Sequence, residues 1–109
     1  MLNNPTPLDP HNICSYNNYT VFEWDEDKNR LNIKKHGFAL SDGKYVFDDI
    51  QRFDSVDDRK DYGEERRIAV GNIGEDILAV VYTKRGKTIR LISVRYASRK
   101  ERSEYYGNY

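Results

Sequence analysis

The sequence predicts an α+β fold: an antiparallel sheet of four to five strands packed with two N-terminal helices and one C-terminal helix. Three observations predict it. Helix caps and helical spacing are confined to residues 25–49 and 98–106. Residues 66–96 hold three β-branched runs, and Gly-containing turns separate them. The short spacing between consecutive strands favours an antiparallel meander over crossover connections.

Residues 1–18 contain all three prolines and five asparagines but no Lys or Arg, so a flexible tail is expected before a folded domain spanning 19–109. Residues 19–23 form a short aromatic and β-branched run suited to a strand. Asp25 then offers an N-cap, with Glu26 and Asp27 favourable in the first turn. The helix runs to about His36, with Lys34 and Lys35 in its last turn and Gly37 supplying the left-handed end. Leu31 is the expected apolar anchor of this helix, with Ile33 a weaker second.

Ser41 is positioned to cap a second helix over residues 42–49, carried by Tyr45, Val46 and Phe47. A strand over 51–56 and an acidic loop over 57–65 follow. Strands are then expected over 66–72, 77–83 and 88–96, with turns at Gly74-Glu75 and at 84–87 around Gly86. Strict alternation in the last strand would put Ile89, Leu91, Ser93 and Arg95 on one face and Arg90, Ile92, Val94 and Tyr96 on the other. Ser98 caps the final helix.

The 109 residues carry 18 basic and 18 acidic side chains, and a chain of this length leaves room for one domain. No apolar run is long enough for a membrane span, and no secretory signal opens the chain. A single cysteine, Cys14, forms no internal disulfide or zinc site, so the reducing cytoplasm is the expected compartment. The zero net charge conceals an asymmetry. Residues 48–65 hold eight acids against three bases, whereas residues 84–102 hold eight bases against Glu101 alone. A solvated charged surface accounts for such runs as readily as a binding face does.

No phosphate loop, metal-ligand cluster or Ser-His-Asp order is visible, so no metal or other cofactor is expected. Lys28, Asn32 and His36 recur at four-residue spacing and share one helical stripe. An Asn is intrinsically unfavourable inside a helix, which makes this one informative. An ordinary surface lysine and a dipole-stabilised histidine explain the same stripe. Arg66, Arg90 and Arg95 lie on strands, with Tyr82 on the strand between. Arginine forks suit phosphate oxygens and tyrosine rings suit unpaired bases, so an RNA track and a protein-binding rim are both open.

Phe22-Glu23-Trp24-Asp25, Lys28, Asn32 and Lys35-His36-Gly37-Phe38 resemble the opening signature of the BrnT toxin family. The likeness continues through Val46-Phe47-Asp48-Asp49, Gly63-Glu64-Glu65-Arg66, Gly71, Val81-Tyr82-Thr83, Arg85-Gly86, residues 89–95 and residues 97–102. It spans roughly residues 21–106. The resemblance implies a RelE-like ribonuclease toxin of a type II toxin–antitoxin system that arrests translation. It also implies a BrnA-like ribbon-helix-helix antitoxin as partner, with promoter DNA contacted only through that antitoxin. The segment before Phe22 and the Arg67 side chain depart from the family pattern.

Metal-independent attack of the ribose 2′-OH on the adjacent phosphate is the expected chemistry. Arg66 and Arg95 are candidates for stabilising charge on the phosphate. Lys28 would steer the phosphate or act as a base, and His36 would act as an acid or base. Arg90, Lys84, Arg85, Lys35 and Tyr82 would contact substrate. An RNA-binding module without catalysis and a protein-interaction domain are the competing readings.

Overall fold

The computed structural model describes residues 13–16 and 20–107. Six strands form one mixed sheet: β1 (Ile13–Tyr16), β2 (Thr20–Trp24), β3 (Phe53–Asp57), β4 (Arg66–Ile73), β5 (Asp76–Arg85) and β6 (Thr88–Tyr96), in the order β1-β2-β6-β5-β4-β3. Most of the segment expected as a tail lies outside the described residues, but its residues Ile13–Tyr16 pair antiparallel with β2. β3 to β6 form the expected meander. β2 pairs parallel with β6, so the sheet is not purely antiparallel as the strand spacing predicted. The reason is connectivity: β2 and β6 are far apart in sequence, and spacing between consecutive strands carries no information about that pairing.

Helix α1 (Glu26–His36) obeys its caps. The Asp25 carboxylate accepts the backbone N–H groups of Asp27 at 2.8 Å and Lys28 at 3.2 Å. Gly37 ends the helix at φ 84°, its N–H donating to the Ile33 carbonyl at 2.8 Å. The second N-terminal helix is a 3-10 helix over Leu40–Asp48, not an α-helix capped by Ser41. Its first turn is closed by Asp42, whose carboxylate accepts the Ala39 N–H at 3.2 Å. Gly43 presses this helix flat on the sheet; a Cβ there would stand 2.9 Å from a Val94 methyl. Helix α2 (Arg99–Gly107) starts at a reciprocal capping box, in which Ser98 Oγ accepts the Glu101 N–H and Glu101 accepts the Ser98 N–H. Among the described residues, no helix is long and apolar enough to cross a membrane.

The main core lies between one sheet face and the 3-10 helix, built on Phe22, Trp24, Leu40, Val46, Val80, Leu91 and Val94. A smaller core under α2 joins Val70, Ile77, Ala79, Ala97 and Tyr105 on the opposite face. Strict alternation fails in β6. Val81 pairs with Ser93 and Tyr82 with Leu91, so Ile92 is an extra residue and the strand bulges there. The bulge rephases the side chains: Val94 joins Ile89 and Leu91 in the main core, while Arg90 and Arg95 share the other face.

The expected helix anchor is also corrected. Leu31 is 64% exposed, and the buried residue of α1 is Asn32, only 6% exposed. β2 pairs with β6 no further than Leu91, and α1 lies along the edge of β6 beyond it. The Asn32 carboxamide completes that edge as a strand would. Its Nδ2 donates to the Val94 carbonyl at 2.9 Å and the Phe38 carbonyl at 2.8 Å, and its Oδ1 accepts the Val94 N–H at 3.2 Å. An unpaired sheet edge requires hydrogen bonds, and an apolar side chain supplies none.

Asn32→Ala orphans three buried backbone groups and is expected to lower the unfolding free energy by about 3 kcal/mol. Leu31→Ala should change it by less than about 0.5 kcal/mol. Urea unfolding of both variants checks the contrast; an equal cost would show that the helix face is wrongly assigned.

Candidate active site

Cross-strand register gathers the charged residues on the face that carries α2. Asp57 pairs with Arg66, Thr83 with Arg90, and Arg90 with Glu23. The β4–β5 ladder sets Arg66 one step beyond the Arg67–Tyr82 pair, beside Thr83. A polar row therefore crosses the sheet as Asp57, Arg66, Thr83, Arg90 and Glu23. The Thr83 hydroxyl donates to the Glu65 carbonyl at 2.8 Å and pins the acidic loop to this end.

Carboxylates hold the arginines in a chain. Arg90 donates to Glu23 at 3.1 Å, and Glu23 lies 3.9 Å from Arg85. Arg85 in turn donates to Glu64 at 3.2 Å, and Glu64 lies 4.0 Å from Arg66. The Arg66 guanidinium stacks on the Tyr62 ring at 4.0 Å. Its buried Nε has no hydrogen-bond partner among the described residues. Further along β6, Arg95 makes a two-pronged contact with Glu101, at 2.7 and 3.0 Å. Such forks are rigid as well as strong.

Beside this face, α1 and the β6 bulge enclose a cleft of about 200 Å³ lined by Lys28, Leu31, Lys35, His36, Ile92 and Ser93, with Asn32 at its base. Ile92 and Ser93 are open to it because β2 ends at Trp24, so its pairing with β6 stops at Leu91. Burial lowers the His36 pKa below its ordinary value, and the positive charges of Lys35 and Arg95 lower it further. Its imidazole is therefore neutral at pH 7, and its nitrogen is free to accept a proton. A neutral imidazole between ammonium groups and a guanidinium is suited to proton transfer beside an anion.

Lys28, Lys35 and His36 thus share one cleft, with Arg95 close enough to act on His36. Arg66, Arg85 and Arg90 form a second group on the face that carries Arg95, about 13 Å along the sheet over the four β5 residue steps between Ala79 and Thr83, at roughly 3.3 Å per residue. Tyr82 and Lys84 join neither. Tyr82 is 5% exposed on the opposite face, where its hydroxyl donates to Asp54 at 2.7 Å. Burial and that carboxylate push its pKa up to about 12. Lys84 is exposed near the end of β5, on the side of Tyr82. Sequence reasoning missed Glu23, Glu64, Ser93 and Glu101. The Ser98-to-Glu101 capping spacing was a signal for Glu101, and all four stand within the segments that carry the family resemblance.

Residues 24–101 match the sequence pattern of the BrnT family, the ribonuclease toxin of type II toxin–antitoxin systems. The chain belongs to the BrnT family. The match runs from Trp24 at the end of β2 to Glu101 in α2 and so takes in both arginine groups and the α1 cleft. No curated protein matches the chain. Membership in the BrnT family brings with it an RNA target and a protein antitoxin.

Three carboxylates in this framework titrate low. Hydrogen bonds from Arg95 hold Glu101 below the usual range, and those from Arg59 do the same for Asp57. Burial pushes Asp49 up, but hydrogen bonds from Tyr105, Asn72 and Gln51 bring it below the ordinary value. A carboxylate with a depressed folded pKa contributes stability above its unfolded pKa, and that contribution is lost as pH falls through the folded value. Unfolding free energy should therefore drop steeply below about pH 4.5, the unperturbed value for Glu101. Glu101→Gln should weaken the protein at pH 7 and narrow the difference between pH 7 and pH 3, as read by denaturant titration at both.

Proposed function

We propose that this BrnT-family chain cleaves RNA without a metal ion, by attack of the ribose 2′-OH on the adjacent phosphorus, and that this cleavage arrests translation in the cytoplasm. The observation that carries the reading is the cleft joining Lys28, Lys35 and a neutral His36 beside Arg95. His36 takes the 2′-OH proton as the oxygen attacks. The phosphorus–5′-oxygen bond breaks, and the Lys28 ammonium returns a proton to the leaving oxygen. The products are a 2′,3′-cyclic phosphate and a free 5′-hydroxyl.

Lys35 holds the phosphate, and Arg95, fixed by Glu101, faces the charge that grows on its oxygens. A fixed donor of this kind contributes about 2.7–4 kcal/mol to lowering the barrier. Arg66, Arg85 and Arg90 hold the neighbouring backbone on the sheet face, which positions RNA without reading its sequence. A BrnA-like ribbon-helix-helix antitoxin covers the face carrying Arg90, Arg95 and the start of α2, and promoter DNA is met only through that antitoxin. The basic start of α2 supports this placement, since complementary charge speeds docking.

Expression of the chain alone should arrest bacterial growth, and the folded Arg66→Ala/Arg95→Ala double variant should relieve it. Cleavage of RNA by the purified protein should survive EDTA and fall about a hundredfold or more in His36→Gln. The acid limb of kcat/KM should lie below pH 6.5, the ordinary histidine value, because His36 stays neutral further into acid. Loss of activity in EDTA with recovery in Mg²⁺, or full activity of His36→Gln, would overturn the mechanism.

A further inference from the structure

A second cavity lies on the same sheet face, against the first turns of α2. It encloses about 500 Å³, within the range of small-ligand sites. Phe53 and Val70 supply an apolar wall, and Ser55, Lys100 and Glu104 supply polar groups. Glu101 lines it as well, while its carboxylate grips Arg95. Glu101 thus links this cavity to Arg95, whose charge also acts on His36. Phe53 and Val70 are cross-strand partners, so the apolar wall is rigid sheet. Among the described residues, the Glu104 carboxylate makes no hydrogen bond or ion pair.

We infer that this cavity receives a guanine base of the RNA, next to the phosphate held by Arg95. The inference rests on the ribonuclease reading above and adds to it the base that is selected. An unpaired RNA base is held by stacking on an aromatic ring and by hydrogen bonds to its edge. Phe53 offers the ring. The Glu104 carboxylate accepts only, so it requires donors, and two donors side by side satisfy both of its oxygens. Guanine alone among the four bases presents adjacent N1–H and N2–H donors. Uracil offers N3–H alone, flanked by acceptors. Adenine and cytosine each offer one amino group beside a ring acceptor, which faces the second carboxylate oxygen repulsively. Lys100 and the Ser55 hydroxyl are donors for guanine O6, the acceptor next to N1–H. The pocket thus holds an acceptor and donors of the kinds that one base edge requires.

The test is equilibrium binding of the four nucleoside 3′-monophosphates to the intact protein, compared with Glu104→Gln. Guanosine 3′-monophosphate should bind at least tenfold more tightly than the other three. Glu104→Gln should remove that preference while leaving the affinity for the other nucleotides within twofold, because the phosphate contacts are untouched. Glu104 is exposed on α2, so the variant should fold; circular dichroism verifies this. Equal binding of all four nucleotides, no binding of any, or a guanosine preference that survives in both Glu104→Gln and Phe53→Ala would each overturn the inference. RNA cleavage is assayed separately. A protein that cuts RNA but binds all four nucleotides alike refutes the guanine pocket alone, whereas a protein that favours guanosine but leaves RNA intact refutes the catalytic reading alone.

Discussion

The seam between α1 and β6 rests on one carboxamide. β2 covers β6 only as far as Leu91, and the chain then leaves the sheet as a helix. That exit exposes a strand edge in the middle of the molecule, where unpaired peptide groups are costly. Asn32 meets the need with both of its functional atoms, and its bond to the Phe38 carbonyl also sets the path from α1 into the 3-10 helix. The same geometry holds Lys28, Lys35 and His36 alongside the open edge of β6. Placement of the cleft and integrity of the fold therefore depend on one residue.

The charges follow a complementary logic. The chain has no net charge, yet Arg66, Arg85, Arg90 and Arg95 gather on one sheet face, where Arg85, Arg90 and Arg95 each donate to a carboxylate. The more exposed Arg85–Glu64 pair contributes little to stability. The effect of these pairs is to orient guanidinium groups that would otherwise sample many rotamers. Arg66 is held differently, by the Tyr62 ring, which leaves its Nε without a partner among the described residues. The bulge at Ile92 completes the arrangement by moving Arg95 onto the face of Arg90.

Most local signals in the sequence reported local structure faithfully, the Ser41 cap being the exception. The Asp25 and Gly37 caps, the two glycine turns of the meander and the Ser98 cap are all where residue chemistry places them. Long-range features were invisible because nothing near them in sequence records them. The parallel pairing of β2 with β6 is one; the extra residue in β6 is another, and it defeats any argument from alternation. Leu31 misled because helix burial was equated with apolar burial, whereas this interface requires hydrogen bonds. Tyr82 was read as a surface platform, but one register step turns it into the main core. The stripe of Lys28, Asn32 and His36 was legible as a stripe; its middle member proved to be the structural one.

The central claim is that an anionic strand is engaged where α1 meets the bulged edge of β6. Backbone amide shifts of the intact protein, recorded as a 2′-deoxy-substituted and hence uncleavable RNA oligonucleotide is added, test it most directly. The account predicts that the largest changes fall on Lys35, His36, Ser93 and Arg95, with smaller ones on Arg66 and Arg90. Shifts concentrated on Asp54, Arg67 and Tyr82, with the α1 cleft silent, would contradict it.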